Sequence, residues 1–188
     1  MSALKIRFEP LTAQHWPLLE TLFGEKGACG GCWCMHWRLR AAVYNAGKGA
    51  GNKRRLRNLT NKFAPGLLAI RGTEAVGWIS MGPRTDFHRL SGSRILKPLD
   101  EHPTWSIVCL FIRKDHRRQG LSSALIRAAA EFARTSGAER IEAYPVDQPA
   151  GLPDVFAFTG TLGGYLKAGF EEVARRSPTR PIVRLELT

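Results

Sequence analysis

The sequence predicts one α+β domain around a mixed sheet, and three observations carry that expectation. The chain has 188 residues with an ordinary globular balance, 44% apolar and 23% charged, so it is neither disordered nor fibrous. Seven short segments have strand character. Amphipathic helical stretches fall between them in mixed order rather than in regular alternation. A chain of this size buries roughly 70% of its unfolded surface, enough for one core without staples. The longest strictly apolar run, Ile107 to Ile112, is too short to span a bilayer, and the opening residues lack the apolar stretch of a secretory leader. A soluble, cytoplasmic protein of one domain over residues 1–188, with no membrane association, is therefore expected.

Leu4 to Phe8 alternates apolar and polar residues, the pattern of a half-buried strand. Pro10 and Thr12 open a helix that places Trp16, Leu19, Leu22 and Phe23 on one face, with Pro17 in its first turn. Residues 29–45 read as a partly helical stretch, Gly47, Gly49 and Gly51 as a joint, and Lys53 to Phe63 as a basic helix. Leu67–Ile70 and Ala75–Ile79 flank a turn-rich spacer and predict a hairpin. Residues 82–103 form a long connection rich in Pro and Gly, of a length that is usually functional. Trp105 to Ile112 is almost continuously apolar, as a central strand requires. Leu121, Ala124, Leu125, Ala128 and Phe132 recur at helical spacing, and Gly137 stops that helix. A short strand at 141–144, a helix at 161–168 and strands at 170–175 and 182–187 complete the order.

Charge is unevenly placed. The net charge is +12, and from Lys26 to Thr73 there is no acid but ten Lys or Arg residues. Such a field suits an anionic partner, whether nucleic acid, an acidic protein or a polyphosphate cofactor, or else serves as a solvated face.

The most informative stretch runs from Ile112 through Arg113, Lys114, Asp115, His116, Arg117, Arg118, Gln119, Gly120, Leu121 and Ser122 to Ser123. It joins the central strand to the amphipathic helix. A glycine at that turn admits close approach by a ligand, and the first helical N–H groups face outward beside two arginines. This combination suits a pyrophosphate. The spacing matches neither a P-loop nor a dinucleotide fingerprint.

Arg117-Arg118-Gln119-Gly120-Leu121-Ser122 resembles the Arg/Gln-x-x-Gly-x-Gly/Ala signature of the GCN5-related N-acetyltransferase (GNAT) family, with Ser at the last place. A second feature is Tyr165, four residues before the pair Gly169-Phe170. The resemblance covers roughly residues 65–176 and leaves the basic, Cys-containing segment 26–64 and the connection 82–103 unexplained. It implies a mostly antiparallel seven-stranded sheet with splayed central strands. It also implies acetyl-CoA as co-substrate and direct acyl transfer to a primary amine in a ternary complex. On the same ground the backbone of Cys109, Leu110, Phe111 and Ile112 would line the pantetheine arm. Arg117, Arg118, Gln119, Gly120, Leu121, Ser122 and Ser123 would hold the pyrophosphate, and Tyr165 would be the general acid.

The Asn that many relatives carry some seven residues before the tyrosine is replaced by Phe158, with Thr159 and Thr161 nearby. The fourth strand has no carboxylate. Glu142, Asp86, His88, Glu101 and His102 remain as alternative bases, beside a water relay or an amine that is already neutral. Cys29, Cys32, Cys34 and His36 fall within eight residues. This is too compact for a zinc site of two knuckles, so reduced thiols or a redox-labile Cys29–Cys32 pair are expected and no metal. Cys109 reads as a buried strand residue. Trp33 and Trp37, four apart, suggest one helical face or a wall of the acceptor pocket. The acceptor, a small molecule or a peptide, is left open, as is a homodimer. The alternative reading is a non-catalytic module binding RNA or another polyanion through Lys53-Arg54-Arg55-Leu56-Arg57.

Overall fold

The computed structural model describes residues 5–147 and 158–187. Seven strands form one sheet: β1 (Ile6–Pro10), β2 (Gly66–Arg71), β3 (Glu74–Pro83), β4 (Trp105–Ile112), β5 (Arg140–Ala143), β6 (Glu171–Arg175) and β7 (Pro181–Glu186). Their order is β1-β2-β3-β4-β5-β7-β6. Every neighbouring pair is antiparallel except β4 and β5. The helices are α1 (Trp16–Phe23), α2 (Ala41–Ala46), α3 (Ala50–Leu59), α4 (His88–Ser91), α5 (Leu121–Thr135) and α6 (Leu162–Leu166). Among the described residues no helix is long and apolar enough to cross a membrane.

The two faces of the sheet carry two cores. On one face α5 lays Leu121, Leu125, Ile126, Ala129 and Ala133 against Ile79, Met81, Ile107 and Ile141. The small alanines let this helix approach β3 and β4 closely. On the other face, Trp16, Leu19 and Phe23 of α1 pack with Trp33, Trp78 and Val108. The edge strand β6 is almost wholly exposed and carries Glu171, Glu172 and Arg175, which guard its open side against further pairing.

The site depends on where β4 leaves β5. Their pairing ends at Ile107 opposite Ala143. In the β3–β4 register Ser80 faces Cys109 and Met81 faces Ile107, so Val108 is skipped. A bulge of this kind bends a strand and increases its twist, and here it turns β4 away beyond Ile107. Just before the divergence a buried polar network ties the strands. The Tyr144 hydroxyl bonds Ser106 Oγ at 2.9 Å and Glu142 Oε2 at 3.3 Å, and Arg84 reaches both Tyr144 and Glu142. Arg184 holds the other Glu142 oxygen at 2.7 Å.

Three expectations need correction. Within the stretch 29–45, residues 29–39 are turns and coil, and helix begins only with α2 at Ala41. Ala28, Gly30, Gly31, Trp33 and Cys34 all have positive φ, which a right-handed helix forbids. Trp33 and Trp37 therefore share no helical face: Trp33 stacks on Trp16 at 5.9 Å, while Trp37 is half-buried elsewhere. The basic helix begins at Ala50, so Gly51 lies inside it rather than in a joint. Residues 82–103 include the end of β3, a 3-10 turn at Arg84–Asp86 and α4. Arg38 fastens this connection, bonding Asp86 at 3.2 Å and the carbonyls of Pro65 and Met81. Residues 148–157, between the strand at 141–144 and the helix expected at 161–168, lie outside those described, as does Leu4 of the expected first strand.

Candidate functional site

Beyond the point where β4 and β5 part, a cavity of about 740 Å³ opens. One end is the mouth of α5. Gly120 precedes that helix with φ +78°, and a Cβ there would meet nothing within 4 Å, so the turn faces open space. No side-chain hydrogen bond caps the helix. The Ser123 hydroxyl donates to the Gly164 carbonyl at 3.1 Å rather than capping the helix. The amides of Leu121, Ser122 and Ser123 are thus first-turn donors without intrahelical acceptors. Arg118, just upstream, is also in the left-handed region at φ +59°. A non-glycine residue held there is strained, as is common at ligand-binding turns. Arg117 donates through Nε to the Ile112 carbonyl at 3.0 Å, fixing the turn to the end of β4. Arg117, Arg118, Gly120, Leu121 and Ser122 all line the cavity, with His116 beside them.

The long wall is β4 itself, with Cys109, Leu110, Phe111 and Ile112 lining it. The structure adds a partner that sequence reasoning did not foresee: the Leu110 amide donates to the Phe158 carbonyl at 2.6 Å. That amide is therefore engaged rather than open. Phe158, Gly160 and Thr161 form the facing wall.

Tyr165 is fully buried, and its hydroxyl donates to the Thr159 carbonyl at 3.0 Å. Tyr165 is not among the residues lining the cavity, whereas Gly160 is, and a Cβ on that glycine would sit 2.7 Å from the tyrosine ring. Burial pushes the phenol pKa well above its ordinary value. The Thr159 hydroxyl accepts from Arg180 at 2.8 Å.

The far end of the cavity comes from the Cys-rich turns and α2: Ala28, Cys29, Cys32, Cys34, His36, Trp37 and Tyr44. His36 is the hub, edge-on to Trp37 at 5.2 Å, Tyr44 at 5.3 Å and Phe158 at 6.1 Å. Burial, then the neighbouring Arg89, lower its pKa to about 4, so the ring is neutral at physiological pH. Cys34 and Cys109, remote in sequence, bring their sulfurs to 3.0 Å, and the Trp78 indole donates to Cys34 at 3.1 Å. Burial holds the Cys34 thiol protonated. Cys29 is exposed and Cys32 half-buried, both free thiols. Among the described residues no group of His, Cys, Asp and Glu is arranged to hold a metal ion.

No carboxylate lines the cavity among the described residues. Glu142 is neither an open base nor a surface residue, since Arg84 and Arg184 enclose it. Asp86 is paired with Arg38, and His102 with Glu139 at 2.8 Å. His88 and Glu101 stand off the cavity as well. Much of the basic run is structural too. Arg38 is buried over the Phe87 ring, Lys53 pairs with Glu20 and Arg57 covers Trp16.

The model of the acetyltransferase (GNAT) family matches residues 34–151. Comparison with curated proteins finds no match. Among solved structures the chain is similar to a GNAT-family acetyltransferase from Listeria monocytogenes, with a TM-score of 0.58 at 10% identity, covering 100% of this chain and 99% of that one. It is similar to the PaiA N-acetyltransferase of Thermoplasma acidophilum, solved with coenzyme A, with a TM-score of 0.53 at 13% identity and coverage of 97% and 99%. A third is the Drosophila melanogaster polyamine N-acetyltransferase, which forms N-acetylagmatine: TM-score 0.54, 12% identity, coverage 97% and 100%. At these identities the likeness establishes the fold.

Proposed function

Because the chain belongs to the acetyltransferase (GNAT) family, we propose that it is an acetyl-CoA-dependent N-acetyltransferase acting on a primary amine by direct attack in a ternary complex. The observation that carries this reading is the uncapped mouth of α5, which opens onto a cavity that follows β4 past its divergence from β5. The fit of that mouth to a diphosphate is physical. Consecutive outward amides and a left-handed glycine form a concave donor set, and the helix dipole favours negative charge there. Arg117 and Arg118 add charge at its rim.

Acetyl-CoA would supply an activated thioester, and the chain's own residues would align and polarise it. Residues Cys109 to Ile112 are placed to run beside the pantetheine arm. The Leu110 amide is the donor on the open side of β4, and it can polarise a carbonyl only once the Phe158 oxygen gives way. Tyr165 is the proposed proton donor to the departing sulfur. Its raised pKa keeps it protonated at neutral pH but makes it a weak acid. A thiol titrates near ~8.5, so the sulfur needs little help, and the gain falls at the low end of general acid catalysis, about 10²-fold. The hydroxyl must first leave the Thr159 carbonyl.

Two measurements test this. CoA at a hundred times its Kd should stabilise the protein by about 2.7 kcal/mol, which for a chain of this size is a Tm rise of about 5–10 °C. No rise at millimolar CoA overturns the assignment. Tyr165→Phe should lower kcat about 10²-fold with CoA affinity unchanged. A variant that loses stability but keeps kcat assigns Tyr165 a packing role only.

A further inference from the structure

The far end of the cavity specifies the acceptor. We propose that this enzyme acetylates a neutral, aryl-bearing primary amine, an arylamine, in preference to a polyamine or a lysine side chain. The proposal rests on the reading as an acetyl-CoA-dependent transferase and names the substrate class of the same site.

The first observation is shape and surface. His36, Trp37, Tyr44 and Phe158 surround the far end with ring faces and edges, the Cys29 and Cys32 thiols beside them. Aromatic partners associate at centroid separations of about 4.5–7 Å in edge-on or offset geometry, so this wall suits a flat ring.

The second observation is charge. Among the described residues the charged side chains on the lining are the guanidinium groups of Arg117, itself engaged through Nε with the Ile112 carbonyl, and of Arg118. Outside the wall, the cations Arg89 and Lys48 lie 5.3 and 5.8 Å from the centre of the Tyr44 ring. Among the described residues Asp86 is paired with Arg38, Glu142 with Arg84 and Arg184, and Glu20 with Lys53, and none of these carboxylates lines the cavity. An alkylammonium entering here would lose water and, among the described residues, find no carboxylate on the lining, which is unfavourable. Rings alone attract cations, but Arg89 already occupies a face of Tyr44.

The third observation concerns the proton. An alkylamine comparable to a lysine side chain has a conjugate-acid pKa near ~10.4 and must be deprotonated before it can attack. His36 faces Arg89, whose Nη1 lies 3.5 Å from its Nε2, and Tyr44; with its pKa near about 4, it cannot take that proton. An arylamine arrives neutral, because its lone pair is delocalised into the ring. Its nitrogen then forms the N–C bond to the acetyl carbon and the C–S bond breaks with its electron pair on sulfur. The nitrogen's proton passes to that sulfur through Tyr165 or water, which balances the transfer as an anilide and free CoA.

The test compares p-anisidine and 4-aminophenol with spermidine, agmatine and a lysine peptide, reading CoA thiol release and the mass of the acetylated product. The arylamines should exceed the others at least 100-fold in kcat/KM at pH 7.0. They should also raise the Tm of the CoA-bound protein further, a readout that needs no turnover. Trp37→Ala should raise the arylamine KM about tenfold with the CoA-induced Tm rise intact, and Trp37→Phe should restore it. Equal or better turnover of spermidine or the peptide overturns the proposal. So does CoA binding with no transfer to either arylamine. Absence of CoA binding instead overturns the transferase reading itself, so the two failures are distinct.

Discussion

At the α5 end of the cavity the groups on offer are backbone amides and two arginines, whereas at the far end they are rings, thiols and one neutral imidazole. The first set recognises charge and tolerates almost any side chain that leaves the backbone free. Its determinant is a turn, Arg118 and Gly120 in left-handed conformations before an uncapped helix. The second set is built of side chains on a strained coil, and it would discriminate by shape and desolvation. On the proposed reading, one polypeptide can keep a general cofactor grip at the first end while the wall at the second is free to change. The seam that joins the ends is the Glu142 network, where β4 and β5 are tied just before they part.

Breaking the seam should have the largest effect. Glu142→Gln leaves Arg84 and Arg184 without their shared buried anion, and losing one partner of a buried pair costs about 3–5 kcal/mol. A Tm fall of about 10 °C is expected, with arylamine KM and CoA Kd changed less than threefold where the protein is folded. A specific loss of turnover at unchanged Tm would place Glu142 in the chemistry. Sharpening the contrast between the ends, Arg117→Ala should weaken CoA about 10- to 100-fold, in keeping with roughly 1.5–3 kcal/mol for hydrogen bonds to charged groups, and leave the arylamine KM alone. Calorimetric titration with CoA reads it, and an equal loss at both ends would merge the two regions.

The smallest effect is a pH dependence confined to the far wall. His36 has a folded pKa of about 4 against about 6.5 unfolded, so between these values the unfolded chain binds more protons. Its contribution to stability is present above about pH 6.5 and is lost as pH falls toward about 4. His36→Gln should flatten the decline of Tm across that window. An unchanged slope would show that the imidazole is not held neutral.

What the sequence disclosed follows the same division. β4 was legible because a strand covered on both faces must be apolar throughout. α5 was legible from its alanine-rich stripe, and its mouth from Gly120. The far wall was not, since its residues meet through turns whose positive φ values at Trp33 and Cys34 have no reliable sequence signal. The closeness of Cys34 to Cys109 and of Phe158 to Leu110 joins residues far apart in the chain, which no local pattern announces. The motif that singles out Tyr165 carries no sign that its ring is fully buried and absent from the cavity lining.

The central claim, that the amides at the mouth of α5 hold the diphosphate of CoA, is tested most directly by calorimetric titration of the wild type and Gly120→Glu with CoA and with pantetheine. Pantetheine has the thiol arm and no diphosphate. The wild type should bind CoA at least 100-fold more tightly than pantetheine, and Gly120→Glu, which puts a carboxylate into the open space at that turn, should erase the difference. Equal binding of both ligands by the wild type, or a difference that survives the substitution, would contradict the account.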